Sequence, residues 1–159
     1  MLPVFLFFTA VIAAILHLIV TKKWESWERF FLTYVIFFNV GVMGCLSFFA
    51  HTFMAEEIAN GIGFPPGNPF QQEVGSAGLA FGVLGLLSYR FQGLFWNATI
   101  IGNAVFLLGC FFFHIIQYLK GNTAPFNIGI FVWFNDLFIP LFLLGSLYWL
   151  SQREKPLST

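Results

Sequence analysis

The stretch that decides the fold is residues 97–119, NATIIGNAVFLLGCFFFHIIQYL, which contains no Asp, Glu, Lys or Arg. As an α-helix rising 1.5 Å per residue it is about 34 Å long, enough to cross a bilayer hydrocarbon core of about 30 Å. The whole chain has the same character, because 58% of its 159 residues are hydrophobic, 9% are charged and its mean hydropathy is +0.83. A soluble domain carries about a quarter charged residues. The sequence therefore predicts an integral membrane protein.

Four more apolar stretches accompany this one along the chain. The five predicted transmembrane helices cover residues 2–20, 30–54, 73–89, 97–119 and 128–150. The predicted fold class is all-α, a polytopic membrane helix bundle that forms a single domain over residues 1–159. The longest connection, residues 55–72, contains three Gly, three Pro and no Lys or Arg. Its turn-forming residue pairs disfavour a helix, and Phe64 and Phe70 can anchor it, so we expect an ordered outer loop.

The basic residues are distributed unevenly between the two sides of the predicted bundle. One side receives Lys22, Lys23, Arg29, Arg90, Arg153 and Lys155, and the other receives Lys120. The positive-inside rule then places the protein in the cell inner (cytoplasmic) membrane with its N-terminus outside and its C-terminus cytoplasmic. The first apolar stretch has no preceding basic residues, so it is expected to be a retained helix and not a signal peptide. The sequence shows no further basic patch, which excludes nucleic acid as a partner.

The third predicted helix has a glycine face. Gly75, Gly78, Gly82 and Gly85 follow one another at steps of three, four and three residues, which places them on one side of the helix. In lipid, such a face lets another helix backbone approach closely. We therefore expect this helix to lie at the centre of the bundle.

The fourth predicted helix carries a polar stripe in an otherwise apolar sequence. Asn103, Cys110, His114 and Gln117 fall within about 60° of one another at 100° per residue, so the stripe should face protein. The second cysteine of the chain, Cys45, also lies in a predicted span. Neither belongs to a CxxC motif, which favours small buried thiols over redox or metal chemistry.

Ionisable residues of four predicted helices converge on the outer half of the membrane. An ionisable group in a bilayer costs at least about 2.5 kcal/mol and so indicates a partner or a function. Pro140 cannot donate to the carbonyl of Asp136, which adds a freed backbone oxygen at the same level. The predicted members of a ligand-binding or proton-handling cavity are His51, Glu73, Asn103, His114, Asn135 and Asp136, with Glu56 and Glu57 in the loop above them.

Several functions are compatible with such a cavity. It can bind a small molecule, a quinone headgroup or an ion as an accessory to a membrane redox or stress system. Alternatively, His114 and Asp136 exchange protons in a proton or ion carrier, or they only lock two helices together in a structural subunit. A further alternative is a metal site with His51, Glu73, His114 and Asp136 as ligands, although no HExxH spacing supports it. No nucleophile with an oriented base, no catalytic residue and no cofactor can be named, so an enzyme is least supported. The expected partners are the lipid bilayer and either another membrane protein or a second copy of the chain.

Two resemblances accompany these patterns. The motifs IGFPPGNPFQQEVG (62–75), FWNATIIGNAVFLLG (95–109), NTAPFNIG (122–129) and NDLFIP (135–140), together with His114, resemble a family of small bacterial and archaeal integral membrane proteins of unknown function. The match covers roughly residues 60–145 and implies no activity.

A fainter resemblance, from EVGSAGLAFGVLGLLSYR (73–90) into the next helix, is to the DoxX family. It implies a DoxX-like four-helix core made of the second to fifth helices, an extra N-terminal helix, and a link to thiosulfate or quinone redox chemistry and to oxidative-stress complexes.

Overall fold

The computed structural model describes residues 1–153, and these contain helices and no strand. Lys155, which contributed to the predicted topology, lies outside the described residues. The helices are α1 (Leu2–Thr21), α2 (Trp24–Phe53), α3 (Ala55–Ile62), α4 (Phe70–Leu87), α5 (Leu94–Leu119) and α6 (Pro125–Arg153).

Four helices, α1, α2, α5 and α6, are long and apolar enough to cross a membrane. The protein is therefore an all-helical, multi-pass membrane protein. The remaining predicted span, residues 73–89, corresponds to α4, whose first turn carries Gln71, Gln72 and Glu73 and makes this helix less apolar than the other four. The predicted loop 55–72 contains α3, an eight-residue helix.

The centre of the bundle is α2, and not α4 as the glycine face suggested. Helix α2 packs against α1, α4 and α6, whereas α4 lies almost entirely along α2 and touches α5 only slightly. The physical reason is that the glycine face is one-sided. Its four glycines are buried, while Val83 and Leu87 on the same helix are largely exposed.

The α2–α4 contact is a backbone contact between antiparallel helices. A Cβ atom on Gly44 of α2 would lie 2.5 Å from the carbonyl oxygen of Gly78, and a Cβ atom on Gly82 would lie 2.8 Å from the backbone nitrogen of Cys45. Both distances are too short for a real Cβ atom, so only glycine fits at this separation. The contact continues at Gly75, which faces His51.

The apolar core lies among α1, α2, α5 and α6. Its buried residues include Ile36, Ile100 and Ile139, and Phe7 of α1 makes edge-to-face contacts with rings of α2 and α6. One end of the bundle is closed by an ion pair between Glu28 and Arg153. The other end is covered by α3, and we call it the capped end.

Two segments of the long helices are π-helical, Ile36–Val42 in α2 and Val132–Phe138 in α6. In the second, the backbone nitrogen of Ile139 donates to the carbonyl oxygen of Phe134, five residues earlier. Pro140 follows directly and cannot donate to Asp136, which disfavours the regular α-helical pattern here. Single π-helical turns are frequent at functional sites. In the first segment, the amide of Asn39 donates to the carbonyl oxygen of Pro3 at 2.9 Å and ties α2 to the start of α1.

Candidate functional site

A buried carboxyl group lies in the π-helical segment of α6. Asp136 is only 5% exposed. The side-chain nitrogen of Asn135 donates a hydrogen bond of 2.8 Å to its Oδ1 atom. A buried carboxylate requires a compensating partner, and one neutral hydrogen bond compensates it only in part.

The second group beside Asp136 is the imidazole of His114 on α5. Its Nε2 atom lies 3.9 Å from Oδ2 of Asp136. This distance allows an ionic interaction but exceeds a direct hydrogen bond. The polar stripe of α5 thus reaches the carboxyl group through His114.

The other ring nitrogen of His114 is held by Asn127, in the short helical turn Pro125–Ile128 that begins α6. Oδ1 of Asn127 lies 2.9 Å from Nδ1 of His114. Nδ2 of Asn127 donates to the carbonyl oxygens of Asn122 at 2.9 Å and of His114 at 3.3 Å. Because Nδ2 faces two acceptors, the orientation of this amide is determined, and Oδ1 must accept a hydrogen bond from His114.

The proton on Nδ1 of His114 fixes the chemistry of the pair. In a neutral imidazole with Nδ1 protonated, Nε2 carries a lone pair, and this lone pair faces the carboxyl oxygen of Asp136. Two lone pairs facing each other in a buried site repel, whereas one proton between them gives either imidazolium with carboxylate or imidazole with carboxylic acid.

The same network reaches the cap helix α3. Nδ2 of Asn122 donates a hydrogen bond of 2.8 Å to the carbonyl oxygen of Ile62, the last residue of α3. The turn Pro125–Ile128 packs between α3 and α5. Asn122 and Asn127 therefore connect the end of α3 to His114.

The remaining predicted cavity residues lie elsewhere. His51 is hydrogen-bonded through Nδ1 to Oε1 of Gln71 at 2.6 Å, across the α2–α4 contact. Glu73 is exposed on α4, and Glu56 and Glu57 are exposed on α3. Asn103 is 5% exposed on α5, and its side-chain nitrogen has no hydrogen-bond partner among the described residues.

The structure thus joins His114, Asn135 and Asp136 and leaves His51 in a separate pair. Within residues 1–153, no group of three or more His, Cys, Asp and Glu side chains is arranged to hold a metal ion. The four-residue metal site considered from the sequence is not formed in this arrangement.

A separate depression of about 670 Å³ opens at the capped end. Its polar lining includes Thr52, Glu56, Glu57, Asn68 and Gln72. His114 and Asp136 do not line it. The two features are therefore distinct sites.

Two asparagines of the site were not identified from the sequence. Asn122 and Asn127 both lie in the motif NTAPFNIG, which contributed only to the family resemblance. The available signal was the pair of asparagines just before an apolar helix. Their contact with His114 depends on how the chain turns between α5 and α6, which periodicity does not specify.

The fold and the site define a class, a small multi-pass helical membrane protein in which a buried aspartate lies beside a partly buried histidine. The chain belongs to the family of unknown function DUF6790, whose model matches residues 1–157. The resemblance to an uncharacterised membrane family is thereby confirmed and extends over nearly the whole chain. No curated protein and no solved structure matches the chain. The DoxX resemblance and the redox link that it implies stay predictions.

Proposed function

We propose that the protein binds and releases a proton at the His114–Asp136 pair, inside the membrane and near its outer face. The observation that carries this proposal is the determined orientation of Asn127, which places the proton of His114 on Nδ1 and turns Nε2 toward Asp136. A pair arranged in this way has one site for an exchangeable proton. Intramembrane ionisable residues commonly serve proton relays in pumps and transporters.

A purely structural pair fits the geometry less well. A salt bridge that only locks two helices gains most from direct, short hydrogen bonds, because these offset the cost of burying the charges. Here the nitrogen and oxygen atoms are 3.9 Å apart, and the side-chain oxygen of Asn135 is buried without a hydrogen-bond partner among residues 1–153. The polar atoms of the site are thus only partly hydrogen-bonded in the arrangement observed. This favours the existence of a second protonation state of the pair.

Infrared spectroscopy tests this proposal directly. A protonated carboxyl group has a C=O stretching band that the carboxylate lacks. When the proton is instead on His114, the imidazolium shifts the carboxylate bands of Asp136. We expect a pH-difference spectrum of the purified protein to contain an Asp136 band of either kind, and Asp136→Asn to remove it. The matched control is Glu57→Gln, which removes an exposed carboxyl group of α3 and should leave the Asp136 band in place. A spectrum in which no band responds to Asp136→Asn overturns the proposal.

The proposal includes a membrane topology of five spans. The glycines of α4 face α2 between Gly41 and His51, in the half of α2 that is nearer the capped end. At 1.5 Å per residue the 18 residues of α4 are about 27 Å long, close to the thickness of a hydrocarbon core. With α4 as a span, the N-terminus is outside, the C-terminus is cytoplasmic and the capped end faces outward. The membrane is the cell inner membrane.

A second candidate function is the binding of a small polar molecule or ion at the capped end. The depression of about 670 Å³ favours it, because its size lies within the range of ligand sites and its lining is polar and acidic. Native mass spectrometry of the protein released from gentle detergent tests this candidate. A retained ligand that is lost in Gln72→Leu supports it, and a spectrum of protein and lipid alone speaks against it. The same spectrum tests the proposed partners, a second copy of the chain or another membrane protein.

A further inference from the structure

We infer that α3 is a lid over the His114–Asp136 pair and that Asn122 and Asn127 couple its closure to the proton on that pair. This inference rests on the proposed function, since it assigns a regulation to the proton site proposed there. It starts from a continuous chain of hydrogen bonds. His114 Nδ1 donates to Asn127, Asn127 donates to the carbonyl of Asn122, and the Asn122 side chain donates to the carbonyl of Ile62.

The end of α3 fits this network closely. Gly63, the residue after α3, has a φ of 83°, a left-handed conformation that favours glycine. A Cβ atom on Gly63 would lie 2.6 Å from Oδ1 of Asn122. Two residues earlier, a Cβ atom on Gly61 would overlap the ring of Phe126. Two glycines thus allow the end of α3 to approach the segment that carries Asn122 and Asn127.

The rest of α3 is weakly anchored. Of its eight residues only Ala59 is buried, and Glu56, Glu57 and Asn60 are exposed. Segments with few buried apolar contacts open at low free energy compared with the global unfolding of a protein. The hydrogen bond from Asn122 is therefore one of a small number of contacts that hold α3 in place.

The sign of the coupling follows from the charge on His114. When Nε2 takes up a proton, the ring becomes an imidazolium, and hydrogen bonds from a charged donor are about twice as strong as neutral ones. The bond from Nδ1 to Asn127 then strengthens and orders Asn127 against Asn122. Protonation of the pair favours the closed lid, and by linkage the closed lid favours protonation of the pair.

The other groups around the pair do not provide a competing charge. The elements packed against the π-helical segment of α6 are α1, α5, the turn Pro125–Ile128 and the rest of α6. Among their ionisable residues, Cys110 lies one helical turn before His114 on α5, and His17 of α1 is hydrogen-bonded to Tyr34. Tyr118, at the end of α5, is largely exposed, as are Tyr148 and Arg153 near the opposite end of α6.

Hydrogen–deuterium exchange of the full-length protein tests the lid. Protection of the α3 amides, corrected for intrinsic exchange, should be higher on the acid side of the infrared titration of Asp136 than on its basic side. Asn122→Ala should lower this protection about fivefold, as expected for the lost hydrogen bond to Ile62, and should remove its pH dependence. The variant also removes the acceptor of the Ala124 backbone nitrogen, a bond that does not involve α3. It should also shift the midpoint of the infrared titration to lower pH. The matched control, Asn60→Ala, removes an exposed asparagine of α3 itself and should change neither readout.

The outcomes separate the two proposals. If the Asp136 band titrates but Asn122→Ala changes neither the exchange of α3 nor the midpoint, the lid is wrong and the proton site stands. If no Asp136 band titrates, the proton site is wrong, and the lid proposal, which depends on that site, is wrong too. Exchange at the α4 amides serves as an internal reference. A loss of protection in α3 and α4 alike would show that Asn122 only stabilises the whole fold, which also overturns the lid.

Discussion

Gly44 of α2 and Gly82 of α4 pack backbone against backbone, because a Cβ atom on Gly44 would lie 2.7 Å from the Cα atom of Gly82. Gly44→Ala must therefore push the two helices apart, and overpacking of this kind costs about 1–3 kcal/mol. We expect a clearly lower melting temperature in detergent. Gly145→Ala is the matched control, since among the described residues nothing beyond the adjacent backbone of its own helix lies within 4 Å of its Cβ position. It should leave the melting temperature unchanged or raise it, and equal melting of the two variants would contradict the close contact.

The glycine stripe illustrates what periodicity can and cannot predict. The spacing of Gly75, Gly78, Gly82 and Gly85 predicts which face of α4 is in contact, because the helical period fixes directions around one axis. It carries no information on the neighbouring helix. The central position expected for α4 is wrong because the partners of α2 are set by contacts distant in sequence, such as the one between Asn39 and Pro3.

The candidate site shows the same limit of sequence-based prediction. The depths of His114 and Asp136 in their helices predicted that these two residues lie near each other, since depth along a span follows from residue counting. The same reasoning grouped His51 with them, but Gln71 of α4 lies closer to His51 and binds it. Equal depth places residues in one layer of the bundle, and only the packing of the helices decides which of them meet.

The second prediction concerns the tautomer of His114. Nitrogen-15 spectra of histidine-labelled protein should show Nδ1 protonated in the wild type. Asn127→Asp keeps an acceptor for this proton but can no longer donate to the carbonyls of Asn122 and His114, so the tautomer should persist while stability falls. Two lost hydrogen bonds correspond to roughly 1–3 kcal/mol. Asn127→Leu also removes the acceptor for the Nδ1 proton, so the other tautomer of His114 should become populated as well. An unchanged spectrum in that variant would show that Asn127 does not set the protonation of His114.

The third prediction concerns topology. Single cysteines at Glu25, Pro66 and Gln92, all exposed, can be introduced in a background with Cys45→Ala and Cys110→Ala. An impermeant thiol reagent applied to intact cells should label position 66, whereas positions 25 and 92 should react only after the membrane is opened. Labelling of positions 66 and 92 from the same side would show that α4 does not cross the membrane.

The last prediction separates the two partners of the central pair. Asp136→Leu alone leaves Nε2 of His114 without its polar partner, and an unsatisfied buried polar group costs about 1–3 kcal/mol. Replacing both groups by apolar ones removes the unsatisfied atom, so Asp136→Leu with His114→Leu should regain much of the lost melting temperature. The double variant still leaves Asn127 Oδ1 without its donor, and recovery should therefore be incomplete. Thermal melts of the wild type, both single variants and the double variant measure the coupling. If the effects of the two single changes simply add in the double variant, His114 and Asp136 do not interact, and neither the shared proton nor the lid can be assigned to them.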